Sequence, residues 1–148
     1  MKNNKGITLI ALVITIIVLL ILAGVAIAML SGENGILTRA SDSKIVNEIG
    51  ALKDEVNMAA AEGITDYFES EYVKKDDALT DVQTAVEAKI TSKVVTPNAS
   101  NDNFTVTLTD HKILIKSKSS GKDHLQSEGT ITEKGAITWN DVFKKPGA

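Results

Sequence analysis

His111 and His124 are the two histidines of this 148-residue chain, the side chains best suited to acid–base or metal chemistry near neutrality. The sequence puts His111 in a turn and His124 in a polar loop. No cysteine is present, so a zinc site would need carboxylates, and none stands at ligand spacing from either ring. Both are expected to be surface histidines. Asp76-Asp77 and Asn101-Asp102-Asn103 carry oxygen ligands of the type calcium takes, but each reads more simply as a solvated loop. Serines are numerous, yet none sits in a G-x-S-x-G elbow, and no glycine-rich phosphate loop occurs. Trp139 is either an exposed adhesive aromatic or part of a small core, and its place in an alternating strand favours the core. The expectation is a protein without catalytic residues, cofactor or metal.

The missing cysteine also excludes a disulfide framework and lipidation at a lipobox. Net charge is −3, and all 19 acids lie after Leu30, so the portion beyond that residue is acidic and poorly suited to nucleic acid.

One segment dominates the elements that hold these residues. Residues 7 to 30 are 24 consecutive residues without a charge, and all but Thr8, Thr15 and Gly24 are apolar. As a helix they would reach about 36 Å, more than the roughly 30 Å hydrocarbon thickness of a bilayer. Lys2 and Lys5 precede the run and no acid does, which predicts a cytoplasmic N-terminus and an outer head. Ala26-Ile27-Ala28 offers small residues at signal-peptidase spacing, so a secreted protein cut after Ala28 is one alternative. A plain single-pass anchor carrying an extracellular binding domain is another.

The border of the run reads Lys5-Gly6-Ile7-Thr8-Leu9-Ile10, and the run continues as GITLIALVITIIVLLIL followed by Ala23-Gly24-Val25. A short basic leader ending in glycine and passing straight into an apolar helix resembles the type IV prepilins and the type II secretion pseudopilins. The combination is similar above all to prepilin-like proteins of Gram-positive, clostridial-type bacteria, and the likeness extends through Gly32-Glu33-Asn34-Gly35-Ile36-Leu37. It covers about a quarter of the chain and is silent on the head.

The resemblance implies cleavage between Gly6 and Ile7 by a membrane-embedded prepilin peptidase, and methylation of the new amine on Ile7. A glycine before the scissile bond leaves the backbone open to the protease. It further implies that the apolar helix stays on the mature protein and packs in a filament core, through Leu9, Ile10, Leu12, Val13, Ile16, Ile17 and Leu20. Other pilin subunits, the peptidase, the assembly platform and the membrane are the implied partners. The implied location is the cell membrane before assembly and an extracellular filament after it. Two positions depart from the family pattern: Ala11 replaces the usual glutamate, and Ala28 replaces a helix-bending proline. The first leaves open a minor pilin or pseudopilin role.

Past the span, Ser31-Gly32-Glu33-Asn34-Gly35 combines two poor helix formers with two turn formers, which predicts a hinge at Gly32 and Gly35 or a plain linker. Ile45, Ile49, Leu52, Val56 and Ala59 then follow at four- and three-residue steps, predicting an amphipathic helix from about Ile36 to Glu62 that stops near Gly63, its stripe either a coiled-coil interface or, the favoured reading, the side that packs on the head's sheet. A second helix is expected over about 77–91, with Leu79, Val82, Val86 and Ile90 on one face and Pro97 ending the region. Period two then takes over at Phe104, Val106 and Leu108, resumes at 113–115 after a turn at Asp110-His111, and closes with a hairpin of 130–132 and 136–139. The organisation expected is a leader (1–6), a membrane and filament-core helix (7–30), a hinge and amphipathic helix (31–62) and a head (63–148). The fold class is α+β, a long N-terminal helix with a small antiparallel sheet, as in the pilin roll.

Overall fold

The computed structural model describes residues 4–32, 34–73 and 81–143. The rest of the leader, Glu33, the Asp76-Asp77 pair and the beginning of the second expected helix, Leu79 included, lie outside the described residues. The chain divides into two compact units, Met1–Ser43 and Lys44–Ala148.

In the first unit, helix α1 spans Lys5–Ser31 and none of its residues is buried. Helical dihedrals cease at Gly32, which is extended (φ −71°, ψ 167°) and donates its N–H to Ala28 O. Helix α2 begins at Ile36.

The second unit is α+β. Helix α2 runs through Ile36–Val73, α3 through Val82–Ile90, and strands β1 (Phe104–Thr109), β2 (Lys112–Ser117), β3 (Gln126–Ile131) and β4 (Ile137–Val142) form an antiparallel meander in sequence order. Helix α2 does not stop at Gly63 but continues ten residues further. The glycine is there for contact: a Cβ on it would stand 2.7 Å from Val86 Cα and 3.0 Å from Ala85 O, so its bare backbone lets α3 lie directly against α2.

Asp81 caps α3, accepting from Thr84 N at 2.7 Å, and that bond holds its carboxyl below the usual carboxylate range. The helix does not end before Pro97. It widens into a π-helical stretch, Thr91–Val95, and closes with a short turn, Thr96–Asn98, that contains the proline. A ring that lacks an N–H and crowds the preceding turn accounts for the widening.

The seam from Ile45 to Ala59 is buried against the sheet, joined by Val86, Ile90 and Val94 from the α3 region and by Phe104, Val106, Ile113, Ile115 and Ile131 from the strands. Helices cover one face of the sheet, and its alternate residues on the other face point outward. The β1–β2 turn is the expected Asp110-His111 pair, both with positive φ (53° and 63°), the type I′ geometry of a two-residue hairpin.

Strand β3 begins four residues earlier than the sequence pattern suggests, because its inward positions are Ser127, Gly129 and Ile131 rather than three apolar side chains. Ser127 is fully buried and bonds the carboxylate of Asp141, its neighbour on β4. Gly129 leaves the room that the Trp139 ring fills, since a Cβ there would lie 2.9 Å from the ring. Trp139 accordingly packs half-buried on the core and donates its Nε1–H to Asn57 Oδ1 at 3.0 Å.

Candidate functional site

The strongest sequence signal, the Lys5-Gly6-Ile7 border, falls in the first turn of α1. Helix therefore begins two residues before the expected cleavage point. The first four N–H groups of any helix lack an intrahelical acceptor, and Asn4 provides no side-chain cap. Thr8 is the first residue to close the ladder, donating both its N–H (3.2 Å) and its hydroxyl (3.0 Å) to Asn4 O. With glycine as the second residue, unwinding this turn into the extended form a protease reads is inexpensive. Apart from its own turn, no described part of the chain comes within 4 Å of where a Gly6 Cβ would be, and Ile7 is 70% exposed, so no other described element covers the bond between them.

Beyond the border, the expected filament-core residues all project from α1 without a covering neighbour. Leu9, Val13, Ile16 and Leu20 follow steps of four, three and four and make one line along the helix. Ile10 and Ile17 flank it on one side and Leu12 on the other, so the set spans a broad apolar arc, each member about half exposed or more. The opposite side is apolar too, with Ile14, Val18 and Leu22 exposed. A helix apolar all round has the pattern of a core helix or of a membrane span. Its length and composition are sufficient to cross a bilayer.

The polar groups of α1 satisfy themselves. Thr15 Oγ1 donates to Ala11 O at 2.7 Å and Ser31 Oγ to Ile27 O at 2.8 Å, each reaching back one turn as Thr8 does. No hydroxyl on the helix is left seeking a partner, as an apolar solvent demands. Ala11 lies on a surface with no ionisable group between Lys5 and Ser31.

At the far end, Gly32 and Gly35 carry the break between α1 and α2. Gly35 is buried, and its N–H bonds Gly32 O at 2.7 Å. A Cβ on it would sit 2.7 Å from Leu30 O and 2.8 Å from Gly32 O, so the connection requires glycine there. Thr38 Oγ1 secures the same Gly32 carbonyl at 3.0 Å.

The remaining candidates are scattered over the second unit. His111 is exposed at its hairpin turn with Nδ1 against Glu87 of α3, and His124 is half-buried in the loop before β3. In the asparagine run, Asn101 Oδ1 accepts from the N–H groups of Asn103 and Phe104, and the Lys118 ammonium bonds Asn101 O. Asn101 Oδ1 thus shapes the loop, and the Asn101 carbonyl faces a cation already attached to the chain. No group of three metal-binding side chains occurs among the described residues. Sequence reasoning missed a cluster on the rim between α2 and β4: Lys53 Nζ reaches both Asp141 oxygens (2.9 and 2.8 Å) and lies 5.1 Å from the Trp139 ring centroid. Burial pushes the Asp141 carboxyl up, but Lys53 and Ser127 together outweigh it and hold the group below its usual range. The alternation of β4 contained a signal for it, because Trp139 and Asp141 share strand parity.

The second unit defines an α+β protein, helices over one face of a four-stranded antiparallel meander, preceded in the chain by an apolar helix. That element order is the one expected of a pilin-like chain. No protein-family model matches the sequence, and neither the curated proteins nor the solved structures compared with it give a match.

Proposed function

We propose that this chain is a structural subunit of a type IV pilus or pilus-like filament, held in the membrane by α1, cut between Gly6 and Ile7, and assembled through the same helix. The observation that carries the reading is the open Gly6–Ile7 bond, which introduces a 27-residue helix with no buried residue and no unsatisfied hydroxyl. Such a helix needs an apolar environment before and after assembly, and exchanging lipid for neighbouring helices replaces one set of apolar contacts by another.

Mass spectrometry of the protein from its native envelope tests the reading. The mature chain should begin at Ile7 with a methylated amine, and Gly6→Phe should leave it full-length in the membrane fraction with filaments lost. Full-length protein as the only species would overturn the proposal.

Ala11 favours a second reading on one point. Without a carboxylate at that position, the Ile7 ammonium of each copy has no acid on α1 to meet it, and leaving such a charge dry and unpaired costs several kcal/mol. A minor subunit joining glutamate-bearing partners avoids that cost. Expression with a peptidase and an assembly motor but no other pilin separates the two, since homopolymers exclude the minor role.

A further inference from the structure

The two-layer unit is charged oppositely on its two outer faces. From Asp54 to Val73, α2 carries six acids and no base. Glu62 and Asp66 are met by Lys89 of α3 and Lys93 of the π-helical stretch after it, which leaves Asp54, Glu55, Glu69 and Glu71 toward solvent. Lys74 and Lys75, next in the chain, lie outside the described residues. Between these acids runs an apolar stripe at heptad steps, Met58, Ala61, Phe68 and Tyr72, of which Met58, Phe68 and Tyr72 are 67%, 58% and 91% exposed. Across the unit, residues 112–122 hold four lysines and no acid. Lys112 and Lys116 flank Leu114 on the uncovered face of β2, and register places Thr107 and Glu128 on either side of Leu114, with Glu128 bonded to Lys112. Val142, 38% exposed, closes the row that contains Lys116.

The inner side of α2 packs on the inner face of the sheet, so the acidic stripe and the lysine-bearing face look in opposite directions. We propose that the outer face of α2 in one copy docks on the open sheet face of the next copy, Phe68 against Leu114 and the Glu69-Glu71 rim against Lys112 and Lys116. Two copies meeting stripe to stripe would set acid against acid, which disfavours an isologous dimer. The opposed pair instead makes a heterologous contact that leaves each face of the chain of copies free to add another, the geometry of an open polymer. The docking rests on the filament reading and deepens it by adding a head-to-head contact to the helix core.

The absence of cysteine makes the test direct. Full-length Phe68→Cys/Leu114→Cys, oxidised in the cell envelope, should give a covalent ladder of dimers, trimers and longer species, whereas the two single variants mixed should stop at dimers. Adding Lys112→Glu and Lys116→Glu should reduce the ladder at least tenfold, and Glu69→Lys with Glu71→Lys in that same chain should restore it. Dimers from Phe68→Cys alone would show the stripe meeting itself, and a double variant that stays monomeric would show that it meets some other molecule. Either result overturns the docking. Copies anchored in one membrane can meet at these faces with or without leader removal, so the N-terminal mass of the same samples reports separately on the filament reading.

Discussion

Gly63 of α2 and Val86 of α3 touch backbone to backbone, with 2.7 Å between the position of a Gly63 Cβ and Val86 Cα. Gly50, in the same helix, has nothing within 4 Å of its own Cβ position. Alanine at these two sites should therefore act in opposite directions. Gly50→Ala gains helix propensity and should stabilise the second unit by about 0.5–1 kcal/mol. Gly63→Ala gains the same propensity but forces α3 away, at about 1–3 kcal/mol, for a net loss of about 1 kcal/mol. Denaturant titration of the two variants checks the pair, and a stabilising Gly63→Ala would mean that α3 yields freely.

Asp110 and His111 both adopt positive φ, a backbone costing about 1–2 kcal/mol for an ordinary L-residue. Replacing them by Asn-Gly, the residues this turn type prefers, should relieve part of that. The change also removes the contact of His111 with Glu87, an exposed pair of the kind contributing about 0–1 kcal/mol. The turn term is larger, so the double variant should be about 1 kcal/mol more stable in thermal unfolding. A loss of stability would assign the His111–Glu87 contact more than a surface value.

Acid should weaken the rim between α2 and β4. Asp141 is held below its unfolded value by Lys53 and Ser127 against the effect of burial. A carboxyl depressed in the folded state stabilises above its unfolded pKa, near 3.9, and that contribution is lost as pH falls below about 4 through the folded value. Asp141→Asn should flatten the acid limb of a stability–pH curve, and an unchanged limb would place the acid sensitivity on other carboxylates. Trp139 fluorescence reports on the same corner, since its indole donates to Asn57 beside Lys53.

The break between α1 and α2 should respond to Gly35 more than to Gly32. A Cβ on Gly35 meets three backbone atoms within 2.9 Å, and one on Gly32 meets only Ala28 O at 3.0 Å. Gly35→Ala should raise amide exchange at Arg39, whose N–H bonds Gly35 O, and at Gly35 itself, while Gly32→Ala leaves both nearly unchanged. Hydrogen exchange on detergent-solubilised protein measures this, and equal effects would contradict the crowding at Gly35.

Where side-chain pattern decides structure, the sequence was legible. The Ile45-to-Ala59 seam, the Asp110-His111 turn and the first two strands follow from periodicity and turn chemistry alone. It was misleading where a small residue serves contact rather than conformation. Gly63 looks like a helix stop until α3 is seen against it, and Ser127 and Gly129 hide the first half of β3 because their partners, Asp141 and Trp139, lie on another strand. The Gly6–Ile7 border is legible only as a motif, since its accessibility and the uncapped first turn are properties of the folded helix. Nor does the sequence separate the outer stripe of α2 from its core seam, as both keep helical steps and only packing distinguishes them.

The hydroxyls of α1 turned back on their own carbonyls leave the helix a cylinder without polar landmarks. An apolar sleeve of this type can slide or rotate against lipid, or against other such helices, with little change in energy from one azimuth to the next. If copies pack through it, the helix itself sets neither the angle nor the rise between them. If these chains form a helix of defined symmetry, the pitch must be set by directional contacts elsewhere in the polypeptide, and changes there should alter filament geometry while leaving membrane insertion untouched.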